Sequence, residues 1–224
     1  MERQQLRRVA QIDTGLSYLR SGDYSRKTGL WKLEEGQNPW EGDPRYPEVR
    51  VLRTTAFSSE GVDMNDYDRA VIDAPDRAEG IDKYRLLPGD VVLTTRSTSV
   101  RCGAIPNHEE TYVISINLIR IRPDERLNPV LLAAYLSLPA TQRQIEAICP
   151  SGTDISNITV TGLQRLEVPL IDRDRQEYLA GLVQKRWQLV SQMKRAIDLY
   201  RERETAVLHR ELVEGKGLKH SGVA

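Results

Sequence analysis

Between Leu182 and Glu214 the chain has no glycine and no proline, and apolar residues recur there at alternating steps of four and three. The seam starts at Leu179 and runs through Val183, Arg186, Val190, Met193, Ile197 and Tyr200, then weakens at Glu204, Val207 and Glu211. Residues at that spacing share one face of an α-helix. Asp174, with Glu177 three residues on, supplies an N-terminal cap, and Gly215-Lys216-Gly217 supplies the stop. A helix over 174–214, rising about 1.5 Å per residue, is roughly 60 Å long. A domain built from the remaining residues is only about 35 Å across. The far end of the seam therefore needs another helix to cover it, from a second copy or from a partner. The alternative is a helix lying along its own domain. Leu182 and Trp187 widen the stripe beyond a strict two-stranded seam, so Val183, Trp187, Val190, Met193, Ile197 and Tyr200 are the candidate pairing residues.

The organisation follows from this helix. At about 150 residues per domain, a chain of 224 is one globular domain with an appendage. We read residues 1–171 as the globular domain, 172–214 as the long helix and 215–224 as a frayed tail. Hydrophobic residues make up 39%, enough for a core. Lysine plus arginine equals aspartate plus glutamate at 32 each, which excludes a basic nucleic-acid coat and an acidic DNA mimic. A reader of DNA with local positive charge remains open. The two cysteines, Cys102 and Cys149, make neither a disulfide framework nor a four-ligand zinc site. No long apolar run and no signal-type start are present, so a cytoplasmic protein is expected.

The globular part alternates strand and helix signals, an α+β pattern. Residues 49–55 and 91–95 are β-branched runs, and 112–122 alternates like one long half-buried strand. Pro88-Gly89-Asp90 marks a turn. Residues 20–48 read as a long loop with one short strand. Asn128-Pro129 opens a helix that Pro139 ends, 140–148 forms a second short helix, and Thr161 to Gln164 fits a one-turn capping box.

Catalytic patterns are absent. There is no phosphate-cradling glycine loop, and His108, His209 and His220 share no metal-ligand spacing. No flanking motif makes Cys102 or Cys149 a nucleophile beside His108. Asn38-Pro39-Trp40 lacks what a methyltransferase motif needs and reads as a turn. What remains is polar residues at strand ends. Thr94 to Ser99 surrounds Arg96 with hydroxyls and is followed by Arg101, Arg53-Thr54-Thr55 ends another strand, and Ser151 to Asp154 with Asn157 makes a third polar loop. Arginine forks and short hydroxyls can read base edges or hold phosphates. They can equally be turns and caps.

The order of these features resembles the specificity (S) subunit of type I restriction–modification systems. The stretches that carry the likeness are VAQIDTG, LLPGDVVLTTRSTSVRCGAI, ISINLIRIRPDERLNPVLLAAYLSL and ICPSGTDISNITVTGLQRLEVPLIDRDRQEYLAGLV, the last through Gly152, Ile158, Leu163, Pro169 and Gln176. It covers about residues 6–200. Family members usually carry two recognition domains and two helices. This chain has one of each, and Val168-Pro169-Leu170-Ile171 stands where a double proline is more usual.

The resemblance implies a non-catalytic subunit that reads duplex DNA. It would direct a methyltransferase (M) subunit, which holds AdoMet and modifies adenine, and a restriction (R) subunit can join. It needs no cofactor or metal of its own. In the family two long helices pair antiparallel, so a half-length chain is expected to homodimerise or to pair with another S fragment. The groups expected to face DNA are Thr54, Thr55, Arg96, Ser97, Thr98 and Arg101, with Arg26, Lys27 and Trp31 as weaker candidates. The alternative is an interaction or regulatory module that binds the M subunit without reading DNA.

Overall fold

A computed structural model describes residues 2–16, 24–25, 30–33, 38–43, 45–58, 61–72, 79–97, 100–148 and 156–213. Arg26, Lys27, Thr98, Cys149, residues 151–155 and the tail from 214 onward lie outside the described residues. The chain forms two compact units, Met1–Gln184 and Lys185–Ala224.

The first unit is α+β. Its strands begin with β1 (Glu2–Gln5), β2 (Ala10–Thr14), β3 (Tyr24–Ser25), β4 (Leu30–Lys32) and β5 (Glu48–Leu52). Then come β6 (Phe57–Ser58), β7 (Gly61–Val62), β8 (Tyr67–Ile72), β9 (Val91–Thr94) and β10 (Arg96–Ser97). The last are β11 (Cys102–Ala104), β12 (Tyr112–Ile114), β13 (Leu118–Pro123), β14 (Ser156–Asn157) and β15 (Glu167–Leu170). One sheet has the order β11-β9-β13-β2, antiparallel throughout. A second has the order β12-β5-β8-β4-β3, with β12 parallel to β5, and three two-stranded pairs, β1-β15, β10-β14 and β6-β7, accompany them. Every residue of β9 is buried, as a continuous Val-Val-Leu-Thr run predicts for a strand covered on both faces. The single phenylalanine, Phe57, is fully buried in a cluster with Leu52, Leu86, Val92, Ile114 and Leu118.

The helices are α1 (Glu79–Asp82), α2 (Pro129–Leu136), α3 (Pro139–Ile148), α4 (Val160–Gln164) and α5 (Arg173–Leu208). Asn128 caps α2, its side chain accepting from Val130 and Leu131 N–H, with Pro129 at the first helical position. Cys102 lies beneath α2 and donates to Ala133 O at 3.1 Å. Burial pushes its thiol up to about 11, so at neutral pH it is protonated and inert as a nucleophile.

Several local expectations change, among them the segment 20–48, which holds two short strands, β3 and β4, rather than one. The run 112–122 is two strands in two different sheets, joined by a turn in which Leu118 N–H donates to Ser115 O at 2.9 Å. Ser115 and Asn117 are turn residues, not the polar face of a strand. The run 49–55 stops at Leu52, where its partner β8 begins opposite at Tyr67, and Thr54–Ala56 tightens into a 3-10 turn. The cap of α4 is Thr159, whose hydroxyl accepts from Gly162 N–H, rather than Thr161. α5 is capped by Asp172, which accepts from Arg175 N–H at 2.9 Å, rather than by Asp174. Gln176 fixes that register. Its amide donates to Arg126 O and Ile171 O and accepts from Asn128 N–H, clamping the first turn of α5 to the start of α2.

In the second unit the helix continues to Leu208 and ends in a wider turn over His209–Val213, short of Glu214. Trp187 and Val190 are partly buried, while Met193, Ile197 and Tyr200 are exposed.

Candidate nucleic-acid interface

Four polar segments meet at one end of the two sheets. Thr95, just past β9, donates its N–H to Asn117 O at 2.9 Å and accepts at its own carbonyl from Ile158 N–H at 3.1 Å. β10 then pairs with β14, setting Arg96 opposite Asn157 and Ser97 opposite Ser156. For these four residues the backbone alone is described. The third polar loop of the sequence thus ends beside the Thr94–Ser97 segment. Arg101 is held next to it, exchanging backbone hydrogen bonds with Thr94 and its hydroxyl. The Arg101 side chain is exposed.

Thr54 and Thr55 line a recess of about 260 Å³ together with Lys32, Arg53, Ser115 and Asn117, floored by Leu16, Leu30 and Leu52. Its cations are occupied. Lys32 Nζ lies 2.6 Å from Asp68, and Arg53 reaches Asp68 at 2.7 Å and Asp66 at 3.3 Å. Burial opposes the charged form of Asp68, but hydrogen bonds from Lys32 and Arg53 outweigh it and hold the carboxyl below its usual range. A depressed carboxyl stabilises the fold above its unfolded pKa, and that contribution is lost as pH falls through the folded one. On the adjoining strands Arg50 is paired with Glu110, and Arg69 bidentately with Glu48. By contrast, the side chains of Thr54, Thr55, Ser115 and Asn117 have no hydrogen-bond partner among the described residues. Trp31, a weaker candidate, packs its ring edge-on against Trp40, which stacks on Tyr46.

Ser115, Asn117, Lys32 and Asp68 are the recess residues that sequence reasoning missed. Asparagine is depleted in strands and favoured in turns, so Asn117 inside an apolar run was the available signal. Gly15 explains its own place in the VAQIDTG stretch. A Cβ there would lie 2.0 Å from Ser115 O, so only glycine lets β2 approach the turn. Gly15→Ala should overpack this contact by about 1–3 kcal/mol and lower Tm by roughly 2–10 °C. Calorimetry checks it, and an unchanged Tm would mean that the turn moves freely.

No protein-family model matches the sequence, and no curated protein does. Solved structures do. A chain of a type I R-M system, described for its complex assembly and conformational transition, superposes with a TM-score of 0.54 at 19% identity over 93% of this chain. The S subunit of the type I restriction–modification system from M. genitalium gives 0.56 at 14% identity over 96%. The HsdS subunit from Thermoanaerobacter tengcongensis gives 0.50 at 20% identity over 93%. The fold is that of the type I specificity subunits. This chain spans 44–46% of the length of those three. Within the specificity-subunit fold, the stretches quoted from the sequence have structural work. Gly89 turns at φ +86°, and the buried Asp90 beside it accepts from Leu87 N–H and from Arg122. Gly103 lets β11 pass Val62, and Gln176 clamps α5. Among the described residues no helix can cross a membrane and no cluster of metal-ligating side chains occurs.

Proposed function

We propose that this chain is a DNA sequence-specificity subunit that reads duplex DNA and directs an adenine methyltransferase to its target, as a homodimer of half-length subunits. The observation that carries the reading is the set of unpartnered polar side chains in the recess beside Thr54 and Thr55. Polar groups without internal partners are free to bond bases or phosphates. The subunit itself supplies no chemistry, and AdoMet belongs to the partner. A restriction subunit can join the same assembly. A homodimer has two-fold symmetry, so its target is an interrupted palindrome with the paired helices as spacer.

The test is a base-resolution methylation map of the source genome with and without this gene. One interrupted adenine motif should vanish on deletion, and its symmetry tells homodimer from mixed pairing. If no motif changes, the chain does not direct methylation, and a module that binds the methyltransferase without reading DNA takes its place.

Arg101 is exposed, and its guanidinium makes no ion pair among the described residues. As a phosphate contact, Arg101→Ala should weaken binding evenly across sequences and reduce the salt slope by about 1. Titrating the assembled complex at several salt concentrations checks this. A changed target sequence would instead make Arg101 a base reader.

A further inference from the structure

We propose that the Ser115–Leu118 turn is a base-reading platform, on which Asn117 reads an adenine and Ile116 covers the methyl of a thymine at the neighbouring step. The inference rests on the DNA-reading function above and names what one part of the domain reads.

The turn is fixed on every side. Within it, Leu118 N–H donates to Ser115 O at 2.9 Å. From β2 and just beyond, Gly15 N–H donates to Leu118 O at 3.2 Å and Leu16 N–H to Ile114 O at 2.8 Å. From the end of β9, Thr95 N–H donates to Asn117 O at 2.9 Å. Gly15 leaves the backbone no room to drift. A reader held this way loses little entropy on binding.

The chemistry offered is selective. Guanine is read by a free arginine or lysine fork. Around this recess Lys32, Arg50, Arg53 and Arg69 are already committed to carboxylates and would have to break those pairs to reach a base. Among the residues that line the recess, the uncommitted polar groups are the Asn117 amide and the hydroxyls of Thr54, Thr55 and Ser115, while the unpaired Arg101 lies outside its lining. Hydroxyls bond either partner of a pair, whereas an asparagine amide matches the N6 and N7 edge of adenine. Ile116, 45% exposed between Ser115 and Asn117, is the apolar group that suits a thymine methyl. Consecutive Cα atoms are about 3.8 Å apart, close to the ~3.4 Å rise between stacked bases, so a turn lying along the groove would set the two residues at adjacent steps.

The methylation map, repeated with Asn117→Ala and Asn117→Arg in place of the wild type, tests this. The wild-type motif should hold an adenine, besides the modified one, that becomes degenerate in Asn117→Ala and turns to guanine in Asn117→Arg, while the other positions persist. An unchanged motif in both variants overturns the inference and leaves the specificity function standing. If no motif depends on the gene at all, the specificity reading itself fails. If Asn117→Ala abolishes methylation with an intact melting curve, Asn117→Arg decides: a guanine-bearing motif supports the platform and no motif overturns it. For Ile116, duplexes of the mapped motif with deoxyuridine for thymidine should bind the purified wild-type complex about fourfold more weakly, the worth of one buried methyl group, and Ile116→Ala equally. Equal affinity of the wild type for both removes Ile116 from the reading face.

Discussion

Ile197→Asp should leave a monomer in which the Met1–Gln184 unit melts as in the wild type. Ile197 is 49% exposed, so in an isolated chain the new carboxylate stays in water and costs the fold little. In a pair of helices the same position is covered. Burying a carboxylate without a partner costs several kcal/mol, and a symmetric dimer buries it twice. The expected rise in the dimer Kd is therefore at least about a hundredfold, roughly 3 kcal/mol or more. Sedimentation velocity across a concentration series measures it, with thermal melting as the folding control. A dimer that survives the substitution would place the interface off the seam.

In the proposed dimer, the charges along this helix and its end disfavour a parallel pair. Lys185, Arg186, Lys194 and Arg195 precede Ile197 with no acidic residue among them, and a mixed stretch follows it, with Asp198, Glu202, Glu204 and Glu211 against Arg201, Arg203 and Arg210. Parallel helices would set the basic stretch against itself. Antiparallel helices crossing near Ile197 avoid that repulsion by setting it against the mixed stretch, and bring Ile197 close to its own copy. That is why aspartate there should act more strongly than at Tyr200, farther from the crossing.

What the sequence could disclose was what local chemistry decides. Asn128-Pro129 and Pro88-Gly89-Asp90 each carry their own instructions and form where they were expected, and the long C-terminal helix forms too, although both its ends shift. Where two candidates lay two residues apart, tertiary contacts chose. Asp172 beats Asp174 because Gln176 must reach Asn128 and Arg126, a constraint from distant chain. The strand over 112–122 failed for a related reason. Its alternation is real on both sides of the break, but Tyr112–Ile114 follows β5 and Leu118–Pro123 follows β9, and nothing in the spacing says that the sheet changes between them. The candidate site shows the same division. Thr54 and Thr55 were legible as hydroxyls at the end of a strand. The pairing of Arg53 with Asp66 and Asp68, which removes an apparent DNA-binding cation, depends on the turn into β8.

The largest loss of stability should come from Asp13→Ala, and it should exceed that of Arg120→Met. Arg120 lies opposite Asp13 where β13 pairs with β2, and its side chain is 1% exposed. Its guanidinium bonds Asp13 at 2.6 Å and Arg85 O at 2.8 Å, while Nε has no partner among the described residues. Removing Asp13 strands a buried cation, a change worth about 3–5 kcal/mol. Removing Arg120 takes the charge out of the interior. Asp13, 35% exposed, can then solvate itself, and Arg85 O keeps a bond from Arg122 at 3.2 Å. Methionine fills the space with an apolar chain of similar reach and ends the burial of the orphaned Nε, so Arg120→Met should cost less than about 1.5 kcal/mol. Urea unfolding monitored by tryptophan fluorescence gives both values from one linear extrapolation. The reverse order would mean that, once Asp13 is gone, Arg120 finds water or another carboxylate, and that the sheet opens more readily than its burial indicates.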